Sequence, residues 1–273
     1  MNLKFRYILN NSFEQFMIFK NNFHKNDSRI IFNTENHTYT VDGKKIKNSV
    51  SQIIESFFPV FDSEYWSRFK AKEKLDFLGK KYQKSDLDIT QKQILEKWEF
   101  KRKESARKGT ILHQLIEDFY KNKKIDEALP EFLYFKEFIS KYPNLMPFKT
   151  EWKIFDSKVS IAGTVDMVYQ KKNGDLFIFD WKRSTKVVND VGTIIKSDFD
   201  FGYDELNNIS NNSYNKYCLQ LNLYKYILEE NYDKHISSMN ILVLHPKYHT
   251  FFHLKIPELK KETKFLIRKS REA

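Results

Sequence analysis

Cysteine is almost missing from this chain: its 273 residues contain one, Cys218. A single thiol cannot build an intrachain disulfide framework, a cysteine-based zinc site or an iron–sulfur cluster. Glycine and proline are scarce too, at seven and six, which argues against long flexible linkers. No apolar run approaches the roughly 20 residues that cross a bilayer. The opening "MNLKFRYILNNSFEQF" carries no apolar leader core. A reducing, cytoplasmic setting without a membrane partner is the expectation. A Gly-x-x-x-x-Gly-Lys-Ser/Thr phosphate loop is lacking as well, so neither a nucleotide cofactor nor a helicase motor of that type is expected. There is no internal repeat.

What the chain does have is apolar mass and positive charge. Hydrophobic residues make up 41% and aromatic residues 16%, enough for a sizeable core. Lysine and arginine number 47 against 36 acidic residues, a net charge of +11. A polyanion is the natural partner for such a chain, with nucleic acid ahead of a membrane surface.

The patterning changes along the sequence. Residues 1–28 read as a short amphipathic lead-in. "RIIFNTENHTYTVDGKKI" (29–46) reads as two short strands with turns at Asn33–Asn36 and Asp42–Gly43. "SVSQIIESFFPVF" (49–61) opens a helix at serine and closes it at Pro59. Residues 63–108 are charged and helical, and "RKGTILHQLIEDFYK" (107–121) is an amphipathic helix entered at Gly109–Thr110. A further helix is expected over 130–141. From residue 151 the period shortens to that of strands, "EWKIFDSKVSIAGTVDMVYQ" and "KKNGDLFIFDWK" supplying three. A polar loop over 187–213, a helix over 214–232, strands at 239–246 and 250–256 and a basic helix over 257–271 complete the chain. The expectation is an α/β (α+β) fold with a central mixed sheet. Residues 1–105 would form N-terminal strands and a helical arm packed on a core of 106–273.

One strand ends unusually. In "LFIFDWK" (176–182) the apolar run gives way to Asp180 and Lys182, which share a face because strand side chains alternate, with Trp181 on the other. The turn before this strand decides what Asp180 meets. A two-residue Asn173–Gly174 loop would pair Asp166 with Trp181. A three-residue loop, Lys172–Asn173–Gly174 with glycine left-handed, would set Asp166 directly across from Asp180. Directly paired side chains have Cβ atoms about 5 Å apart. Two carboxylates that close repel unless a cation lies between them, and an oxygen-rich site suits Mg²⁺ or Mn²⁺. Lys182 could then polarise a water or stabilise charge developing on phosphorus. Taken singly, each candidate has an ordinary explanation: a solvated acid at Asp166, a helix-face imidazole at His113, a solvated acid at Glu117, a polar stripe at Gln220 and Tyr224.

Taken in order, Gly-x-x-x-His (109–113), Gly-x-x-Asp (163–166), Asp-x-Lys (180–182) and Gln-x-x-x-Tyr (220–224) resemble the motif series of the RecB-like branch of the PD-(D/E)XK nucleases. "SVSQIIESFF" ahead of a helical arm is similar to the mitochondrial genome maintenance exonucleases and their phage and viral relatives. The resemblance implies a restriction-endonuclease-like core and a Mg²⁺- or Mn²⁺-dependent deoxyribonuclease using two ions, most simply an exonuclease on single-stranded ends or flaps. It implies His113, Asp166 and Asp180 as metal ligands, with the Trp181 carbonyl as a further one, and Lys182 as the residue that positions or activates the attacking water. Gln220 and Tyr224 would hold the DNA end or the site wall. Arg107, Lys108, Arg183 and Ser184 sit near the motifs as phosphate contacts, with Glu117 and Glu151 as second-tier candidates. DNA with free ends is the implied partner, together with a helicase, single-strand-binding protein or recombinase. The cluster-binding cysteines of some relatives are absent. An endonuclease with the same residues, and a non-catalytic DNA-binding subunit on the same scaffold, are the competing readings.

Overall fold

The computed structural model describes residues 22–79, 81–125, 129–196 and 199–272, so most of the expected lead-in lies outside the described residues. In chain order the elements are β1 (Ile30–Asn33), β2 (Thr38–Val41), β3 (Lys44–Lys45), β4 (Asn48–Ser49), α1 (Val50–Glu55), α2 (Ser63–Phe77), α3 (Lys84–Tyr120) and α4 (Pro130–Lys141). There follow β5 (Met146–Asp156), β6 (Ile161–Gln170), β7 (Leu176–Lys182), α5 (Ser213–Asn231), β8 (Ile236–Val243), β9 (Phe252–Lys255) and α6 (Lys260–Glu272). Single 3₁₀ turns lie at Lys25–Ser28 and Asp204–Leu206.

The chain divides into two compact units. One is Val60–Ile111, a hairpin of α2 and the first part of α3. Asp62 caps α2 by accepting from Tyr65 N. The two helices run antiparallel, tied by Arg68 to Asp88 at 2.9 Å, by Gln91 Nε2 donating to Glu64 Oε2 at 3.0 Å, and by the Phe61 and Trp98 rings at 5.8 Å. The other unit takes everything up to Pro59 and from Leu112 onward. The expected boundary at 105 therefore gives way to a different division. The first strands belong to the larger unit, where β4 hydrogen-bonds alongside β6, with Asn48 opposite Ile161.

That larger unit is built on a mixed six-stranded sheet. β6 pairs antiparallel with β5 along one edge. Its other edge takes β4 in parallel at Ile161 and Ala162, and β7 antiparallel from Met167 onward. β7 then pairs in parallel with β8, which requires a crossover connection, here the one carrying α5. β9 closes the edge antiparallel to β8. β1 to β3 form a separate antiparallel sheet.

Helices cover both faces of the large sheet. On one face Ile178, Val168 and Ile241 pack with Val50 and Ile54 of α1, Leu219 and Ile227 of α5, and Phe265 of α6. On the other, Met167, Tyr169, Phe179, Trp181 and Leu242 pack with Leu112, Ile116 and Tyr120 of α3 and Phe132, Phe135 and Phe138 of α4. The odd and even residues of β7 thus enter different cores, which places Trp181 opposite the face shared by Asp180 and Lys182.

Two elements depart from the sequence expectation. The helix expected to begin at Gly109–Thr110 is the last part of α3, continuous from Lys84. An interior helical glycine costs only about 1 kcal/mol, and α3 forms across it. β5 begins at Met146 rather than 151, a register shift between Pro147 and Lys149 accommodating the proline. Among the described residues no helix is long and apolar enough to cross a membrane.

The aromatic side of the sheet converges on Phe138, whose ring centroid lies 5.2 Å from that of Phe179 and 5.7 Å from that of Phe251. Phe138→Ala is expected to destabilise the protein by about 3–5 kcal/mol, read as a lowered urea midpoint at unchanged slope.

Candidate active site

The β6–β7 turn sets the site. Lys171 N donates to Asp175 O at 3.0 Å, and Gly174 N donates back to Lys171 O at 2.9 Å, with Gly174 at φ +91°. The loop is therefore the three-residue one, Lys172–Asn173–Gly174, in which glycine takes the left-handed position that side chains avoid. The register that follows pairs Tyr169 with Phe177 and Met167 with Phe179. The paired register ends at Met167 and Phe179, and Asp166 and Asp180 are the next residues beyond it.

Both carboxylates are buried. Trp181 N donates to Asp166 Oδ2 at 2.8 Å. Asp180 Oδ2 lies 2.6 Å from Lys182 Nζ. That approach is not aligned as a hydrogen bond, and among the described residues the oxygen has no hydrogen-bond partner. The cation beside this buried carboxylate is the Lys182 ammonium.

α3 supplies the imidazole. Leu112, Ile116 and Tyr120, spaced by four, bury one stripe of the helix. His113, one residue on, is turned toward the carboxylates. Its Nε2 donates to Trp181 O at 3.0 Å, while Nδ1 stands 3.7 Å from Asp166 Oδ2 and 3.8 Å from Glu151 Oε1. The Trp181 carbonyl thus orients the histidine ring, as backbone carbonyls do for metal-binding histidines. One ligand atom each from His113, Glu151 and Asp166 lie within 4.8 Å of one another. Glu151 therefore joins the central group, while Asp180 is engaged with Lys182.

Glu151 carries a second irregularity. It occupies β5 between Thr150 and Trp152, which face Met167 and Val165, so it stands level with Asp166. Its φ is +47°, a left-handed conformation that costs a non-glycine residue on the order of 1–3 kcal/mol and is concentrated at functional sites.

The charges are mutually dependent. Burial alone would lower the His113 pKa, but the Asp166 and Glu151 carboxylates outweigh it and raise it to about 9. Burial raises Asp180 to about 6, with Lys182 opposing. Burial also raises Asp166 above the usual carboxylate range, against His113 and Lys182. Lys182 is held above the ordinary lysine value because Asp180 and Asp166 overcome its burial. Lys182 is thus a firm cation here, suited to stabilising negative charge rather than to accepting a proton.

α5 forms the next wall. Lys182 Nζ is 3.4 Å from Gln220 Oε1, and Gln220 Nε2 donates to the Tyr224 hydroxyl at 2.9 Å. The Tyr224 ring fills the space that Gly163 leaves: a Cβ there would lie 2.5 Å from Tyr224 Cε1. This is the physical reason for glycine at the head of Gly-x-x-Asp.

The remaining expected residues fare differently. Arg183 is turned into the fold, its guanidinium paired with buried Glu131 and its side chain 8% exposed. It anchors β7 to α4 and is not available as a phosphate contact. Ser184 Oγ accepts from Lys186 N at 3.1 Å in a local turn just past β7. Glu117 pairs with Lys121 along α3 and stays out of the carboxylate group. Arg107 and Lys108 belong to the Val60–Ile111 unit, Arg107 pairing with Glu104 at 3.0 Å. Sequence reasoning missed Tyr39, whose hydroxyl lies 2.9 Å from Thr164 Oγ1 beside the site, and Tyr217, whose ring centroid lies 4.2 Å from Lys182 Nζ. Helical spacing of three between Tyr217 and Gln220 was the available signal for the latter.

Two outcomes follow. Tyr224 is only 4% exposed and cannot step back, so Gly163→Ala is expected to cost about 1–3 kcal/mol by overpacking, measured by denaturant unfolding. The histidine gives a pH signature in metal-free protein. Its folded pKa lies above the unfolded value of 6.5. Its contribution is therefore complete below pH 6.5 and lost as pH rises through about 9. A fall of about 2 kcal/mol across that window is expected, discounted for the ring's partial exposure. Thermal unfolding in EDTA should show it in the wild type and not in His113→Gln.

No family model and no curated protein matches the chain. Among solved structures it is similar to one titled "Crystal structure of SSO0001", at 11% identity and a TM-score of 0.32, over 82% of this chain and 73% of that one.

Proposed function

We propose that this protein is a Mg²⁺- or Mn²⁺-dependent deoxyribonuclease with a PD-(D/E)XK core of the RecB-like branch, acting as an exonuclease on single-stranded ends or flaps. One observation carries the reading: Asp166, Asp180 and Lys182 are gathered where β6 and β7 adjoin, both carboxylates buried, Trp181 N donating to Asp166 Oδ2 and Lys182 Nζ 2.6 Å from Asp180 Oδ2. The donor set fits a divalent ion. His113, Glu151 and Asp166 offer one nitrogen and two carboxylates in reach of one another. Hard carboxylate oxygens suit Mg²⁺ and Mn²⁺. When bound, the ion supplies Lewis acidity at the phosphate and a more acidic water.

The chain's own residues do the rest. Asp166 and Asp180 hold their places through the turn and through Trp181 N. Lys182, kept protonated, faces the negative charge that grows on phosphorus as water adds and the P–O ester bond breaks. Gln220 and Tyr224 fix the lysine from the α5 side. The net charge of +11 favours a polyanionic substrate.

The decisive assay is cleavage of an end-labelled linear single strand beside a closed single-stranded circle, in Mg²⁺, Mn²⁺ and EDTA. Metal-dependent loss of the linear strand alone is expected; cutting of the circle would replace the exonuclease by an endonuclease. Asp180→Asn and Lys182→Ala should each lower the rate by roughly 10²–10³-fold or more. A separate readout follows the ion: Mn²⁺ at about 100 times its Kd should stabilise the wild type by about 2.7 kcal/mol, and Asp180→Asn by much less. Thermal stability indifferent to Mn²⁺ would leave the non-catalytic DNA-binding reading.

A further inference from the structure

We propose that Tyr217 is a positioning residue for Lys182, holding its ammonium in place through the face of the phenol ring. The inference rests on the nuclease reading for its catalytic consequence, but its geometric content does not. Tyr217 lies outside every motif discussed above.

Lys182 has a buried head and a weakly directed set of partners. Its side chain is 15% exposed, and a lysine carries four flexible methylenes whose rotamers must be restrained to keep the charge in one place. Asp180 pairs with the ammonium at 2.6 Å. Gln220 Oε1 is 3.4 Å away, at the long end of hydrogen bonding. The Tyr217 ring centroid at 4.2 Å is well inside the roughly 6 Å range of cation–π attraction. That attraction strengthens when the cation is withdrawn from water, as it is here.

The placement is not incidental to the helix. Residues 217, 220 and 224 fall at i, i+3 and i+7, one face of α5. Tyr224 is fixed against Gly163, Gln220 is tied to Tyr224, and Lys182 sits against both Gln220 and Tyr217. Tyr217 is only half-buried, packs partly against the core and lines a surface cleft with Lys186 and Lys216. Its ring thus meets both the core and the ammonium. If Asp180 turns its oxygens to an ion, Gln220 and Tyr217 are what remain to hold Lys182.

The test compares Tyr217→Phe, which keeps the ring, with Tyr217→Leu and Tyr217→Met, which remove it. The first measurement uses the full chain in EDTA with lysine labelled by ¹³C at the ε position. The Lys182 ε-methylene proton signal, identified by its loss in Lys182→Arg, should be shifted upfield by the ring. That shift should persist in Tyr217→Phe and vanish in both ring-less variants. The second measurement is turnover on the linear single strand. Tyr217→Leu should lower kcat by roughly tenfold with KM changed less than twofold, and Tyr217→Phe should restore most of that loss. An unshifted Lys182 signal in the wild type, or one unchanged in Tyr217→Leu and Tyr217→Met, overturns the proposal. So does an effect confined to KM, which would make Tyr217 a substrate contact. If the wild type cleaves no nucleic acid, the nuclease reading fails while the spectroscopic arm still decides whether Tyr217 positions Lys182.

Discussion

Everything at the site depends on one turn. Were Lys172–Asn173–Gly174 shorter by a residue, β7 would slip by one against β6. Every side chain of β7 would then change faces. Asp180 and Lys182 would enter the aromatic core and Trp181 would meet Asp166. The glycine at φ +91° keeps the loop at three residues. The two cores enforce the same choice, because Phe179 and Trp181 have an aromatic bed on one side and Ile178 an aliphatic one on the other. Turn chemistry and burial agree, so the register is determined twice.

A second dependence is electrostatic. Two opposed carboxylates, one strained glutamate, an imidazolium and an ammonium share a region with little water. His113, Asp166, Asp180 and Lys182 do not titrate independently: the pKa of each is set by its charged neighbours together with burial. The arrangement is a net of compensations: the acids raise the pKa values of His113 and Lys182, and burial raises those of Asp166 and Asp180. Such an array is a poor choice for stability alone, since charge placed inside a protein needs partners to break even. The left-handed Glu151 adds strain at the same spot. Cost concentrated in one place is the pattern expected of a site that exists for chemistry.

How much of this was visible in the amino-acid sequence differs by residue. Strand alternation is a local rule, so the shared face of Asp180 and Lys182 was legible, whereas two possible turn lengths left the partner of Asp166 open. His113, Gln220 and Tyr224 stood out only through the order of the motifs, since stripe and spacing alone gave each an ordinary explanation. Arg183 was not: its position one past Lys182 gave no sign that α4 would present the buried Glu131 to it, since that contact spans 52 residues. The promotion of Glu151 depended on a backbone angle that no spacing rule supplies. Continuity of α3 through Gly109 was hidden because a glycine ahead of an apolar stripe reads as a helix start when the preceding turns are charged. Tyr217 was overlooked because a tyrosine on a helix rich in tyrosine carries no mark of its own.

α5 has two jobs, and joining them has a consequence. It lies on the connection that lets β7 and β8 run in parallel, and it also carries the residues that grip Lys182. The sheet cannot acquire its parallel pair without that connection crossing over, and the lysine is not gripped until the helix docks. Assembly of the tertiary structure and assembly of the reactive centre are therefore one event. A partly folded chain, with β5 to β7 formed but α5 undocked, would hold its acidic residues in register while leaving Lys182 loose. The grip on Lys182 is thereby withheld until the crossover helix is in place.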